Sequence, residues 1–207
     1  MEEVSAGLRL TRDQLGPDPL RALAGWLEEA RDAGLGGEPV GTLGTVDEAG
    51  APDARIVVVR AFDARGLAFH SDARSPKGRH VAHDPRASLV LHWPELTRQV
   101  RIRGEMRIAP GAESDAAFGA RARAAQIGFW AHAQSEPIGA LSALEEQLDR
   151  TIARFDTEPV TRPPHWVVYR LAPRFVEFWQ SGERHLHDRF AYSLSDDGSW
   201  VAVRLQP

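Results

Sequence analysis

The chain of 207 residues contains no cysteine, which excludes disulfide bonds, thiolate nucleophiles and cysteine-ligated zinc or iron–sulfur sites. It also lacks an apolar run near the length of a membrane span, and its first residues lack the basic start and apolar stretch of a signal peptide. We therefore predict a cytoplasmic protein with no membrane partner. The chain also has no excess of positive charge: its net charge is −4, and acidic and basic residues are interspersed along it. No general attraction to nucleic acid is expected.

Apolar residues make up 43% of the chain and charged residues 26%, as in an ordinary globular protein with one sizeable core. No internal repeat or low-complexity linker separates a second domain. We predict a flexible N-terminal arm over residues 1–17 and a single domain over residues 18–207. This domain begins with a helix that Asp18-Pro19 starts.

After this helix the hydrophobic period changes to alternation, which predicts short antiparallel strands joined by tight turns. Helical patterns interrupt the strands at Ser75-Pro76, over about residues 113–130 and over about residues 138–155. Closing the sheet would leave no unpaired edge strands, which could pair with other chains. The pattern therefore favours a mainly β fold, a small barrel with peripheral α-helices. The predicted strands are residues 40–46, 54–62, 67–71, 87–93, 98–108, 166–171, 175–180, 189–193 and 200–205.

Two polar patterns in the first half of the chain suit an anion. Arg55 and Arg60 flank an apolar run and point to opposite faces of a strand, so one of them can face a pocket. Two snorkelling surface arginines are the plainer alternative. The segment from Ser71 to Lys77 offers hydroxyls, a lysine and the free N–H groups of a helix start, which together suit a phosphate. No Gly-x-Gly-x-x-Gly turn links a strand to a helix, so side chains would have to hold any nucleotide.

The stretch from Glu177 to Phe190 gathers aromatic, basic and acidic residues around a Ser-Gly turn. It predicts a strand that runs into a polar pocket. His185 and His187 share one face if this segment is extended, but a metal would need a third ligand that the spacing does not supply. We therefore interpret the two histidines as a hydrogen-bonding and anion-binding wall, or as a general acid/base pair.

Taken together, these segments resemble the pyridoxamine 5'-phosphate oxidases and their FMN-binding split-barrel relatives, from about residue 20 to Pro207. The resemblance implies an antiparallel six-stranded split β-barrel. It also implies a homodimer with two FMN sites at the interface, each lined by both chains. The motifs that carry it, in order, are Arg55-Ile-Val-Val-Val, Phe69-His-Ser71, Ser75-Pro-Lys77, Arg98-Gln99-Val100, Arg121…Gln126-Ile-Gly128…Trp130…Gln134-Ser135, Glu177-Phe-Trp-Gln180, Leu186-His-Asp-Arg189 and Arg204-Leu205-Gln206-Pro207.

On this resemblance the cofactor is FMN, with Arg55 and Lys77 on its phosphate and Ser71 beside them. The family usually has an arginine directly before the lysine, and Pro76 at that position should weaken phosphate binding. The other cofactor-binding residues that the resemblance implies are Ile56, Val57, Val58, Gln99, Gln134, Ser135, Trp179 and Arg189.

The substrate positions depart from the family. Where the family binds the substrate phosphate with lysine, tyrosine, arginine and serine, this chain has Arg60, Ala117, Arg121 and Ala125. The family's Arg-x-His pair over the substrate ring appears as His185-Leu186-His187. Two lost hydrogen bonds of about 1 kcal/mol each and a lost charge-assisted contact of about 1.5–3 kcal/mol predict roughly a thousandfold weaker binding of the vitamin B6 ester.

We therefore expect an FMN-dependent oxidase that takes two electrons, as a hydride to flavin N5, from a small cyclic, unphosphorylated substrate similar to a phenazine precursor. O₂ would reoxidise the flavin and give H₂O₂. Arg60, Arg121, His185 and His187 are the predicted substrate-binding residues, and His187 is the predicted catalytic group that orients the substrate or manages its proton. Two alternatives stay open: a genuine pyridoxine or pyridoxamine 5'-phosphate oxidase that makes pyridoxal 5'-phosphate, and a non-catalytic flavin or haem binder. No metal is expected.

Overall fold

The computed structural model describes residues 9–207, whose strands form one antiparallel sheet. Among these residues, no helix combines the length and apolarity needed to cross a membrane. The strands within this range are β1 (Val40–Val46), β2 (Pro52–Val58), β3 (Ala61–Asp63), β4 (Gly66–Asp72), β5 (Arg86–Trp93), β6 (Arg98–Ile108), β7 (Trp166–Gln180), β8 (Asp188–Leu194) and β9 (Trp200–Arg204).

Six of the strands form the barrel wall in the order β2-β1-β5-β6-β7-β4. β6 pairs with β7 along its whole length, while the other edge of β7 is shared between β4 and β8. The barrel wall is therefore split between β4 and β8, which pair with different halves of the same edge of β7. Between β2 and β4, the Arg60 N–H donates to the Ala68 carbonyl at 2.8 Å. This arrangement confirms the predicted antiparallel split barrel, and β3, β8 and β9 extend its edges.

The strand β7 is continuous where the sequence predicts two strands, residues 166–171 and 175–180. It continues through Pro173 because β6 pairs with both halves and a bulge between Arg103 and Gly104 shifts the register there. A Cβ on Gly104 would lie 1.9 Å from the Ala172 carbonyl oxygen. Glycine therefore allows the two strands to approach this closely.

The helices lie around the barrel. The helical pattern predicted over about residues 113–130 forms two helices instead of one continuous helix. Two helices form there, because the first ends at Gly119, a poor helix former, and the Arg121 N–H turns back to the Phe118 carbonyl at 3.0 Å. Arg121 is thereby placed in the connection between them. The α-helices of residues 9–207 are α1 (Arg12–Leu15), α2 (Pro19–Ala30), α3 (Pro76–His83), α4 (Gly111–Gly119), α5 (Arg123–Ala131) and α6 (Leu141–Phe155).

Two apolar cores follow from the alternation of side chains along the strands. The larger one fills the barrel, where β6 buries Val100, Ile102 and Met106. The smaller one lies under α4 and α5, where the Phe118 and Trp166 rings pack edge to face with centroids 5.3 Å apart. This smaller core supports the floor of the candidate site.

The described part of the predicted N-terminal arm, residues 9–17, packs against the barrel and so differs from a flexible arm. Leu10 and Leu15 are buried in the main core. The Arg9 guanidinium donates to both carboxylate oxygens of Asp188, at 2.8 and 2.9 Å, and the Leu10 N–H donates to the same carboxylate at 2.9 Å. Residues 1–8 of the arm lie outside the described residues.

Candidate functional site

A cleft of about 560 Å³ opens between β2, β4, α3 and the α4–α5 region. It brings together eight residues of the predicted cofactor and substrate sets, and also six polar or aromatic residues that the sequence did not single out. The eight are Ile56, Val57, Val58, Arg60, Ser71, Lys77, Arg121 and Gln134; the six are His70, Asp72, Phe129, His132, His165 and Trp166.

Lys77 is the only lysine in the chain, and it is only 8% exposed. Its ammonium donates to the Ser75 hydroxyl at 3.1 Å, and that hydroxyl donates to the Asp72 carbonyl at 2.7 Å. Burial, and then the positive charge of Arg55, lower the pKa of Lys77, while the Asp72 carboxylate opposes this effect. A buried ammonium beside a second cation is unfavourable unless an anion neutralises it. The geometry therefore fits a phosphate at the start of α3.

Arg55 acts on Lys77 from the neighbouring strand, and β1 holds its guanidinium. The guanidinium donates to the Thr45 hydroxyl at 2.7 Å and forms an ion pair with Asp53. The Thr45 hydroxyl is also 2.9 Å from Nδ1 of His80 on α3. This network fixes α3 against β1 and β2, so the positions of Lys77 and Arg55 are set before any ligand binds.

Ser71 and Gln134 lie side by side in the cleft. The Ser71 hydroxyl donates to Gln134 Oε1 at 3.1 Å, and the Asp72 N–H donates to the same oxygen at 3.3 Å. Gln134 is thereby tied to β4, and its amide nitrogen is the end that can serve a ligand. The neighbouring Ser135 is exposed and has a positive φ of 69°.

Arg60, Arg121 and His70 form a second cationic group in the cleft. Burial and the charge of Arg121 lower the pKa of Arg60, whose guanidinium forms an ion pair with Glu38. Burial, Arg121 and then Arg60 lower the pKa of His70 to about 4, so its imidazole is neutral at pH 7. Two arginines that face one space favour an anionic group between them.

Buried polar atoms without a hydrogen-bond partner concentrate at this cleft. Within residues 9–207 the side-chain atoms of this kind are Arg121 Nε, His132 Nδ1, Trp166 Nε1 and Glu177 Oε2, of which Glu177 Oε2 still has the charge of Arg101 at 2.9 Å. The first three belong to residues that line the cleft. Since buried polar groups are nearly always satisfied, the cleft fits a ligand with several hydrogen-bond acceptors.

Five further predicted residues lie at the far end of β7, and we call them the C-terminal cluster: Gln99, Trp179, His185, His187 and Arg189. Gln99 and Arg189 pair with Trp179 from its two sides in the sheet. The Trp179 and His187 rings lie with their centroids 5.0 Å apart. The cluster is therefore a compact aromatic and cationic surface.

Glu177 holds Arg189 in this cluster. The carboxylate of Glu177 is 2% exposed and accepts from Nε and Nη2 of Arg189, at 3.0 and 2.8 Å. Nη1 of Arg189 donates to the Gln206 carbonyl at 3.1 Å, and Arg101 forms an ion pair with the other Glu177 oxygen at 2.9 Å. The guanidinium is thereby fixed in orientation.

The loop that carries the two histidines is not extended, so the prediction that they share the face of an extended segment is wrong. Residues Glu183–His185 form a helical turn in which Arg184 and His185 have positive φ angles. A Cβ on Gly182 would lie 2.2 Å from the Leu186 carbonyl oxygen, so the loop closes tightly. The Gly182 N–H donates to His187 Nδ1 at 3.2 Å, which leaves the proton of a neutral His187 on Nε2.

The cleft and the C-terminal cluster lie at opposite ends of β7. Trp166 lines the cleft, whereas Trp179 belongs to the cluster. At a rise of about 3.3 Å per residue, the thirteen steps from Trp166 to Trp179 correspond to roughly 40 Å along the strand. One chain therefore does not bring the two sets of predicted residues onto one small ligand. Among residues 9–207, no three histidine or acidic side chains come together as a metal site.

The split barrel and the buried cationic cleft define a flavin-binding split-barrel protein. The model of the family described as pyridoxamine 5'-phosphate oxidase matches residues 27–155. A second model, described as the pyridoxine 5'-phosphate oxidase C-terminal dimerisation region, matches residues 166–207. The chain therefore belongs to the pyridoxamine 5'-phosphate oxidase family and is an FMN-dependent oxidoreductase.

Relatives of known name agree with this assignment. The chain is 42% identical to a pyridoxine/pyridoxamine 5'-phosphate oxidase of Rubrobacter xylanophilus, over 98% of this chain and 96% of that protein. It is 38% identical to the protein of the same name from Myxococcus xanthus, with both chains covered completely.

Among solved structures, the chain is similar to PhzG from Burkholderia lata in complex with tetrahydrophenazine-1-carboxylic acid. The TM-score is 0.88 at 28% identity, with 96% of this chain and 98% of that chain covered. An FMN-binding protein of Nostoc punctiforme, at 22% identity and a TM-score of 0.74 with 92% and 98% covered, shares the fold.

Proposed function

We propose that the protein is a homodimeric FMN-dependent oxidase that acts on a small cyclic substrate whose anionic group is a carboxylate rather than a phosphate ester. The observation that carries this proposal is the composition of the Arg60–Arg121 end of the cleft. The Arg60 guanidinium already pairs with Glu38, so Arg121 supplies most of the uncompensated positive charge. One uncompensated guanidinium can hold a carboxylate through a bidentate ion pair.

The side chains around this end support the same choice. Ala117 and Ala125 lie where the family has hydroxyl groups that hold a phosphate, and Ala125 lines the cleft directly. The small side chain of Ala125 leaves room in the cleft for a wider ring system, while Ala117 packs against the smaller core. The structure of PhzG holds a ring carboxylate, tetrahydrophenazine-1-carboxylic acid, which supports a substrate of this class.

We propose that FMN lies between the cleft of one chain and the C-terminal cluster of its partner. In this arrangement Lys77, Arg55 and Ser71 bind the phosphate, with Ile56, Val57 and Val58 alongside. Their distance from the C-terminal cluster within one chain, together with the match to a dimerisation region, supports the shared site. The cofactor residues from the partner's cluster are Gln99, Trp179 and Arg189, whereas Gln134, which lines the cleft, and its neighbour Ser135 belong to the cleft side of the site.

Bound FMN would supply the two-electron acceptor for the reaction, with O₂ as the proposed final acceptor and H₂O₂ as its product. The protein's own residues would bind and orient the substrate. His187 offers Nε2–H as a donor, since its Nδ1 accepts from Gly182, and His185 lies 6.1 Å from it between ring centroids. We assign His187 to orientation of the substrate and His185 to contact with its anionic or ring substituent. The cytoplasmic location stays a prediction.

A second candidate is a genuine pyridoxine or pyridoxamine 5'-phosphate oxidase. The observation in its favour is that relatives 38–42% identical over nearly the whole chain carry this name. A non-catalytic flavin or haem binder is less well supported, because a carrier would have no use for the Arg60–Arg121 group.

A gain-of-function variant separates the two substrates. The triple variant Ala117→Tyr, Ala125→Ser and His185→Arg restores the family's phosphate and ring contacts. If the native substrate is a ring carboxylate, the variant should raise kcat/KM for pyridoxine 5'-phosphate by about a hundredfold or more. Efficient turnover of pyridoxine 5'-phosphate by the wild type, with little gain in the variant, would favour the second candidate.

A further inference from the structure

His70 is the cleft residue to which neither the family resemblance nor the proposed function gives a role. It lies on β4 opposite Val168, and its ring packs on Trp166 with centroids 4.7 Å apart. It lines the cleft together with Arg60 and Arg121. Its ring is half-buried, and no hydrogen bond to its nitrogens occurs within residues 9–207. The imidazole is therefore held in place by stacking while its polar atoms stay available to a ligand.

The charges that act on His70 are both positive, those of Arg121 and Arg60. Three other titratable groups of the cleft are engaged elsewhere, and His132 is the exception because its Nδ1 has no hydrogen-bond partner. Asp72 accepts from Arg74 at 2.7 Å, His165 Nε2 is 3.3 Å from the Phe129 carbonyl, and Lys77 donates to Ser75. His132 completes the titratable lining at the end of α5.

We propose that His70 is a proton-coupled anion-binding residue, neutral in the free cleft and protonated when an anion binds between Arg60 and Arg121. This inference rests on the anion subsite of the proposed function and extends it to substrate charge and pH. The ligand class is an oxyanion, either a carboxylate or a sulfate- or phosphate-like group.

The physical reason is local electrostatics. An anion between the two arginines removes the repulsion that keeps His70 neutral and adds an attraction to the imidazolium. The free cleft holds the pKa of His70 near 4, and the bound anion raises it. Binding therefore takes up a proton between that value and the higher pKa of the complex, and affinity increases as the pH falls through this interval. A dianion shifts His70 further than a monoanion does.

The test uses FMN-loaded protein, so that FMN occupies the Lys77 site, and inorganic sulfate, whose charge stays constant over the relevant pH range. The imidazole titration of His70 is followed by NMR with and without saturating sulfate, and the sulfate Kd is measured between pH 4 and 7. The resonance is assigned with His70→Phe, which keeps a ring on Trp166 but cannot titrate. His92→Asn, an exposed histidine on β5 outside the cleft, is the matched control.

We expect the His70 midpoint to rise by at least one pH unit with sulfate, and the wild-type Kd to tighten by up to about tenfold per pH unit on acidification. The Kd of His70→Phe should change little with pH, and His92→Asn should behave like the wild type. If the His70 midpoint does not change with sulfate, and Arg121→Ala abolishes sulfate binding, the role of His70 is overturned but the anion subsite is supported. Sulfate binding that Arg121→Ala leaves intact would overturn the subsite as well.

Discussion

Replacing Lys77 by methionine tests the proposed phosphate site with two effects of opposite sign. The side chain is buried, and it is the only lysine of the chain. Loss of a charge-assisted contact costs about 1.5–3 kcal/mol, so Lys77→Met should weaken FMN binding about 10- to 150-fold. In the apoprotein the same change removes a buried ammonium that Arg55 repels, so the apoprotein should become more stable.

The stability gain should be about 1 kcal/mol, or roughly 2–4 °C in Tm for a chain of this size. FMN affinity is measured by quenching of flavin fluorescence, and apoprotein Tm by calorimetry. Arg79→Met is the matched control, because Arg79 is exposed on the same helix and should alter neither quantity. Mass spectrometry adds an independent readout: FMN should protect the single lysine from acetylation.

Lower apoprotein stability together with unchanged FMN affinity would refute the reasoning. It would mean that Lys77 is a structural residue already neutralised by Asp72, and that FMN phosphate binds elsewhere. Acetylation of Lys77 at the same rate with and without FMN would lead to the same conclusion.

Three further predictions concern stability and the shared site. The pKa of His70 is near 4 in the folded state and about 6.5 in the unfolded state, so folding stability that is present above pH 6.5 is lost as the pH falls to about 4. The 2.5-unit difference sets an upper limit of about 3.4 kcal/mol on this loss. Because the ring is partly exposed, we expect a loss of roughly 1–2 kcal/mol. Urea unfolding at pH 7 and 4.5 should show this loss in the wild type and a smaller one in His70→Phe; equal losses would contradict it. Gly104→Ala should destabilise the protein by about 1–3 kcal/mol or more, because its Cβ would meet the Ala172 carbonyl, and a melting temperature equal to that of the wild type would show that the bulge adapts. Co-expression of the Lys77→Met chain with the Arg189→Ala chain should restore native flavin affinity to about a quarter of the sites. Half of the dimers contain one chain of each variant, and each of these mixed dimers has one site without either substitution. If no sites regain native affinity, Lys77 and Arg189 belong to sites that each lie within a single chain.

The sequence predicted the strands well because their apolar alternation and turn residues are local signals. It missed the break between α4 and α5 and the continuity of β7, and its strand over residues 54–62 is divided into β2 and β3, with Arg60 between them. Whether Gly119 ends a helix depends on what the next turn contacts, and whether Pro173 interrupts a strand depends on the bulge at Gly104 in β6. Both outcomes are set by tertiary pairing.

The candidate site was predictable where charged residues occurred in recognisable motifs. Lys77, Arg60 and Arg121 reach the cleft, as the motifs suggested. His70 lies within the motif Phe69-His-Ser71 but received no role, because its place beside Arg60 and Arg121 is visible only in the folded chain. Trp166 was missed because its pattern is that of a core residue, which it also is.

The most direct test of the proposed substrate class is anaerobic mixing of the FMN-loaded protein with tetrahydrophenazine-1-carboxylic acid and, separately, with pyridoxine 5'-phosphate, while the flavin absorbance near 450 nm is followed. We expect rapid bleaching by the ring carboxylate and slow or no bleaching by the phosphate ester. Rapid bleaching by pyridoxine 5'-phosphate alone would contradict the carboxylate assignment and identify the vitamin B6 ester as the substrate.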